Sequence, residues 1–236
     1  MTFGGKVTWL GHSMFLIESR GGKRLVVDPY VDGNPKFPKG FDLARVDVIA
    51  ATHGHFDHFG EDGIALARKT GATVCCVFEL ALWCGAQGHA KVSGMNKGGT
   101  QKLSDFTIHM TQAVHSSGTS REGRNPPSDP CGYVFDVDGF RIYHAGDTAL
   151  FSDMALIAEM LAPDLALLPI GDFYTMGPRS AAKACELLGV STVIPMHFGT
   201  NPAISGGTPE ALRDELRKRN LATEVVELEP GQSWPR

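Results

Sequence analysis

Long apolar runs, paired cysteines and an excess of positive charge are all missing from this 236-residue chain, and each absence removes a class of protein. No stretch is apolar for long enough to span a bilayer. The first ten residues, Met1 to Leu10, lack the basic start and apolar core of a secretory signal. A cytoplasmic protein that meets no membrane is expected. The five cysteines, Cys75, Cys76, Cys84, Cys131 and Cys185, form an odd set without a Cys-x-x-Cys spacing. Cys75 and Cys76 sit inside the apolar run Ala72 to Phe78, so they read as small buried hydrophobes in a reducing compartment, and any metal site is built from nitrogen and oxygen. A net charge of -4 offers no long-range attraction for nucleic acid or an anionic membrane. The nearest basic track, Arg213 to Arg219, mixes both signs and reads as a solvated helix face, which leaves a nuclease or phosphodiesterase a minor alternative. No Gly-x-Ser-x-Gly elbow is present, so nothing marks a serine nucleophile.

What remains is a globular composition, 42% hydrophobic and 20% charged, in a chain sized for one large domain spanning residues 1–236. Lys6 to Leu10, Met14 to Glu18 and Arg24 to Asp28 read as an opening meander of strands, followed by a proline- and glycine-rich loop. Glu61 to Thr70 and a segment near Glu79 to Cys84 read as helices, with Gly94 to Gly99 as a connection. Strands are expected over Phe106 to Val114, Gly132 to Val137 and Phe140 to Tyr143, with a hairpin turn at Asp138-Gly139. Helices at Thr148 to Leu161, Ser180 to Leu188 and Thr208 to Lys218 then alternate with strands at Leu165 to Gly171, Ser191 to Met196 and Thr223 to Leu228. Meander followed by alternation, twice over, suggests two mixed sheets face to face with helices outside, an α+β architecture.

The chemistry is concentrated in Thr52-His53-Gly54-His55-Phe56-Asp57-His58, directly after the apolar strand Asp47 to Thr52. At this chain's His and Asp content, His-x-His-x-Asp-His would arise by accident on the order of one time in a thousand. On an extended segment His53, His55 and Asp57 share a face, and a turn after Asp57 swings His58 towards them. That makes a cage of nitrogen and oxygen suited to a borderline divalent metal. Further along, His115, Asp147 and His197 each stand where an apolar strand gives way to a loop, from which separate strands can converge.

These residues, with Thr8 to Ser13, Asn96 to Gly99, His144 to Thr148, Leu168 to Gly171 and Thr175 to Pro178, carry a resemblance over nearly the whole chain. The sequence resembles metallo-β-lactamase-fold hydrolases, in particular a cytoplasmic branch of metal-dependent hydrolases related to the ascorbate-phosphate lactonases. The resemblance implies a four-layered αββα sandwich with the site at one edge. It implies one metal on His53, His55 and His115, a second on Asp57, His58 and His197, and Asp147 bridging them. The pair is expected to be Zn2+, with Mn2+ or Fe as substitutes. Asp28 matches a carboxylate that supports a ligand histidine, although an Asp preparing the turn at Pro29 fits its position equally.

A dinuclear centre holding a bridging hydroxide would hydrolyse a small ester-like metabolite, a lactone or phosphoester. Asp57 would orient the water and His12 is a candidate for contact with substrate or a moving proton. His144 is a candidate for supporting Asp147, although a strand histidine facing a sheet partner fits its position equally. Arg121 and Arg124, in the polar loop 116–130, are candidates for meeting a substrate anion. His109 is too far along its strand from His115 to share the site, and His89 reads as an exposed loop residue. The partner expected is a small-molecule substrate, with a homo-oligomer left open. An iron-dependent redox or metal-binding module on the same cage is the alternative.

Overall fold

The three opening segments do form a meander in the computed structural model, which describes residues 3–118 and 128–235. β1 (Lys6–Trp9), β2 (Phe15–Glu18) and β3 (Arg24–Val27) pair antiparallel. β4 (Val48–Ala50), helix α1 (Gly60–Thr70), β5 (Thr73–Val77), helix α2 (Phe78–Ala86) and β6 (Val92–Met95) follow, and β3 to β6 are parallel. The second sheet begins with β7 (Thr100–Leu103), β8 (Phe106–Gln112), β9 (Cys131–Val137) and β10 (Phe140–His144), again antiparallel. Helix α3 (Met154–Leu161), β11 (Leu165–Pro169), helix α4 (Pro178–Leu188), β12 (Thr192–Met196), helix α5 (Pro209–Lys218) and β13 (Glu224–Val225) add a parallel half. Finally β14 (Ser233–Trp234) returns to pair with β1. The sheets are ordered β14-β1-β2-β3-β4-β5-β6 and β13-β12-β11-β10-β9-β8-β7.

Period-2 alternation decides how the layers stack. Leu165 and Leu167 of β11, Ile194 and Met196 of β12, and Tyr133 and Phe135 of β9 enter the core shared with the first sheet. Their neighbours Ala166, Leu168, Val193 and Val134 face the other way, into a second core with Ala181, Ala184 and Leu188 of α4, Ile157 of α3 and Leu212 of α5. Strands buried on both faces read as continuous apolar runs, as these do. On the far side, Ile64, Ala67, Leu80 and Trp83 of α1 and α2 cover the first sheet. The result is the αββα sandwich.

Four expectations need correction. Residues 148–153 are not helical. Thr148 instead links three loops: its hydroxyl accepts from the Val114 N–H at 2.9 Å and its carbonyl from the Met176 N–H at 3.0 Å. The strand expected over Thr223 to Leu228 is only β13, two residues long, and Leu228 beyond it is seated in the core between the sheets. The glycine-rich connection carries strands β6 and β7 on its flanks. His89 is buried, not exposed, and its Nε2 sits 3.0 Å from the Ala72 carbonyl.

Candidate metal centre

β3, β4, β10 and β12 deliver Asp28, the His53 to His58 segment, Asp147 and His197 from their carboxyl ends, and His115 follows β8. The β1–β2 turn contributes His12. Three of these junctions use left-handed backbone at residues that have a Cβ: His12 (φ 54°), Asp28 (φ 47°) and His197 (φ 55°). Such conformations cost roughly 1–3 kcal/mol each and persist where the surroundings over-determine them. Here the His12 carbonyl accepts from both the His197 N–H (3.0 Å) and the Trp9 indole Nε1–H (2.9 Å). Gly146 (φ 62°) cannot carry a side chain: a Cβ would lie 2.6 Å from the Cys131 carbonyl oxygen.

The histidine cluster divides. His53, His55 and His115 bring ligand nitrogens within 4.8 Å of one another, and His12, Asp57, His58 and His197 form a second such group. Asp147 Oδ2 lies between the two, 3.0 Å from His197 Nε2, 3.2 Å from His58 Nε2 and 3.7 Å from His115 Nε2. Thus His53 and His55 group with His115, and Asp57 and His58 with His12 and His197, although only one residue separates the pairs; His53 and His58 stay adjacent, grouped also with Asp28 and with ring centroids 4.1 Å apart. The turn in which the His58 and Phe59 N–H groups both donate to the His55 carbonyl makes this separation.

Supporting bonds fix which ring nitrogens point inward. Asp28 Oδ1 accepts from the Thr52 N–H (2.7 Å), and Asp28 Oδ2 accepts from the Thr52 hydroxyl (2.6 Å) and from His58 Nδ1 (2.8 Å). With its proton given to Asp28, the Thr52 hydroxyl accepts from His53 Nδ1 at 3.0 Å. Both rings therefore turn Nε2 towards the site, an arrangement known to orient metal-binding histidines. Asp28 thus both contacts the His58 ring and ends β3 in left-handed backbone before Pro29.

The charges are tightly coupled. Burial works against a charged His58, but Asp147 and Asp28 outweigh it and hold the ring's pKa well above the ordinary histidine value. Burial and the His58 charge push His53 well below that value and lower His55 as well, and burial lowers His115. Asp147 is held well below the usual carboxylate range despite its burial, by His197 and His58. Burial likewise opposes ionised Asp57, and its contacts with His12 and His58 overcome it. Burial and His197 lower His12 to about 4, so this ring is neutral near pH 7.

Do these groups suit divalent cations? Among the described residues, His12 Nε2, His58 Nε2, His197 Nδ1 and Asp147 Oδ1 are buried without a hydrogen-bond partner. Unpartnered buried groups of this kind are costly in a protein that binds nothing there. Imidazole and carboxylate donors without sulfur suit zinc, manganese or iron. The residues fit the metals expected of them.

The remaining candidates sort clearly. His12 Nδ1 is 2.9 Å from the Thr200 hydroxyl, and its Nε2 approaches Asp57 Oδ2 at 3.3 Å, off-line for a hydrogen bond. His144 is fully buried with its pKa lowered by burial; its Nε2 lies 2.9 Å from the Ser13 carbonyl and its Nδ1 accepts from the Gly146 N–H. It joins the two sheets beside Asp147 through the Ser13 carbonyl. His109 pairs with Thr100 across the β7–β8 ladder, away from the site. Arg121 and Arg124 lie outside the described residues. The sequence does not single out Thr52, Thr200, Tyr30 or Phe56; a hydroxyl or ring gains such a role only from a partner distant in the chain. The site opens into a cavity of about 760 Å³ lined in part by His12, Asp57, His115, Asp147 and His197.

Comparison with known proteins gives the family. The family model for the beta-lactamase superfamily domain matches residues 6–197, and a UPF0173 metal-dependent hydrolase of Solibacter usitatus is 48% identical over 229 residues, 96% of this chain and 98% of that relative. The chain belongs to the UPF0173 family of the beta-lactamase superfamily. A UPF0173 relative from Methanopyrus kandleri is 43% identical over 232 residues, covering 98% of this chain and 100% of its own length. The solved structure of Igni18, described as a novel metallo hydrolase from Ignicoccus hospitalis, is similar with a TM-score of 0.83 and 34% identity over 97% of each chain. The UPF0173 chain thus shares both the metallo-β-lactamase fold and the metal-dependent hydrolase family of these relatives, and no described helix is long and apolar enough to cross a membrane.

Proposed function

We propose that this chain uses two divalent cations to hydrolyse a small ester-like metabolite, a lactone or phosphoester. His53, His55 and His115 would hold one cation and Asp57, His58 and His197 the other, with Asp147 shared. The supporting observation is the position of Asp147 Oδ2, within 3.0 to 3.7 Å of imidazole nitrogens belonging to both groups. Zinc is the first choice for this donor set, with manganese or iron as substitutes. Such a pair supplies an activated water at neutral pH and polarises the substrate's carbonyl or phosphoryl oxygen.

The chain's own residues do the rest. Asp28 and Thr52 lock the His58 and His53 rings by their Nδ1 atoms. Asp57 orients the attacking water, and neutral His12 exchanges a proton at Nε2, with the Thr200 hydroxyl holding the opposite nitrogen. The five cysteines are buried free thiols, which supports work in a reducing cytoplasm; the chain would act as one domain. The test is to purify the protein with its native metal and screen lactones and phosphodiesters. Turnover that survives both His53→Ala and His115→Ala would defeat the proposal. The same sulfur-free donor set also takes iron; an iron-loaded, spectroscopically redox-active protein without hydrolysis would favour a redox or metal-binding role instead.

A further inference from the structure

Two chain segments hold His12. Trp9, at the end of β1, donates its indole N–H to the His12 carbonyl at 2.9 Å, and Thr200, in the loop after β12, sets its hydroxyl 2.9 Å from His12 Nδ1. Lys36 lies across both segments. Its ammonium is 5.5 Å from the centre of the Trp9 ring and 5.2 Å from that of Phe198, two rings stacked on each other at 5.3 Å and 13°. A cation within about 6 Å of a ring is attracted to its face, more strongly where water is excluded, and Trp9 is 2% exposed. The stem of the lysine starts from a fixed turn: the Lys36 N–H donates to the Asn34 side-chain oxygen at 3.0 Å, and buried Asn34 donates to the Tyr30 carbonyl at 3.1 Å. Glycine on each segment makes room for it. A Cβ on Gly11 would stand 2.7 Å from Lys36 Cβ, and one on Gly199 would stand 2.8 Å from Lys36 Nζ. His197 (φ 55°) opens the Thr200 loop in left-handed backbone, which persists where contacts hold it.

We infer that Lys36 is a positioning residue for proton transfer by His12: with its ammonium on the Trp9–Phe198 pair it fastens Gly199 and Thr200 beside the β1–β2 turn and keeps the Thr200 hydroxyl on His12 Nδ1. This rests on the hydrolytic reading above and goes beyond it, since Lys36 acts through other side chains. The bond at one imidazole nitrogen decides which nitrogen carries the hydrogen and where the other points. Ester hydrolysis adds one water across the acyl C–O bond. The proton that leaves the water reaches the departing alkoxide oxygen through His12 Nε2, and no other reactant is consumed. A good leaving group such as p-nitrophenolate departs without that proton, whereas a benzyl alkoxide requires it. Loosening the Thr200 loop therefore penalises one kind of ester and spares the other.

Benzyl acetate and p-nitrophenyl acetate isolate that difference. With metal-loaded protein, Lys36→Met should lower kcat for benzyl acetate about tenfold while p-nitrophenyl acetate stays within about threefold and both KM values within about twofold. Lys36→Arg, whose planar guanidinium also stacks on rings, should restore benzyl acetate. Nitrogen NMR of histidine-labelled, metal-free protein reads the His12 ring without turnover, its signals assigned by their loss in His12→Gln. The Nδ1 signal should move in Lys36→Met in the same direction as in Thr200→Val, and stay in place in Lys36→Arg. Gly199→Ala, which displaces the ammonium with the lysine kept, should move it likewise and serves if Lys36→Met folds poorly. A parent-like Nδ1 signal in Lys36→Met and Gly199→Ala, or an equal loss of kcat on both acetates, overturns the positioning role and leaves hydrolysis standing. A parent protein that cleaves neither acetate nor any lactone or phosphodiester overturns the hydrolytic reading, and the catalytic role of Lys36 with it, even where the Nδ1 signal moves.

Discussion

Asp28 Oδ2 lies 2.8 Å from His58 Nδ1, with both side chains completely buried. The same carboxylate takes two bonds from Thr52, whose hydroxyl in turn holds His53. One carboxylate therefore orients one ring in each of the two ligand groups. Asp28→Asn keeps the shape but removes the charge, and should weaken metal binding by about 10–100-fold. Competition with a coloured chelator measures this; an unchanged affinity would show that Asp28 only shapes the turn.

His58 makes the metal-free protein sensitive to alkali. Its pKa is raised well above the ordinary value by Asp147 and Asp28, against its burial, so the folded state keeps a proton that the unfolded chain has released above about pH 6.5. The stability this contributes is complete below that pH and is lost as pH rises through the raised pKa. The Tm of chelator-treated protein should fall across that window, and zinc binding should release a proton, seen as a buffer-dependent calorimetric heat. A flat Tm with no proton release contradicts the assignment.

His12 acts at the acid end. Its pKa is lowered to about 4 by burial and by His197, so between about pH 6.5 and 4 the unfolded state binds more protons than the folded one. Stability from the neutral ring is complete above pH 6.5 and is lost as pH falls towards 4, by about 3 kcal/mol in all. Urea unfolding of metal-free protein at pH 7 and near pH 4 should register this loss. His12→Gln should abolish its share, and identical acid sensitivity in the variant would rule the ring out.

Gly171→Ala tests the backbone beneath His197. A Cβ there would overlap the His197 carbonyl oxygen and crowd its Nδ1 at 3.1 Å, so the His197 loop must move. Destabilisation of about 1–3 kcal/mol and weaker metal binding are expected together, read by thermal melting and metal content. A variant that melts and binds like the parent would mean that the loop yields freely.

Most of the candidate ligand residues are legible because ligand chemistry and strand endings coincide at His53 to His58, His115, Asp147 and His197. The fold was legible for a related reason: strands covered on both faces leave apolar runs, and helices between them leave the longer period. Other features required the third dimension. Thr52 reads as an ordinary strand end until Asp28, 24 residues away, is placed beside it; Thr200 acquires a role only from His12, 188 residues away. Residues 148–153 have helical composition but are held by Val114 and Met176, and His89 has a loop's sequence neighbours yet donates into the start of β5. Local propensity loses to long-range partners at each of these places.

Each sheet carries only part of the grip: His53, His55, Asp57 and His58 follow the first, whereas His115, Asp147 and His197 follow strands of the second. If the proposed pair of cations is bound, the position shared by both groups would form only once the two sheets have packed together. Metal occupancy would then report finished assembly, and a cell starved of that metal would accumulate copies that unfold more readily and fall first to proteolysis.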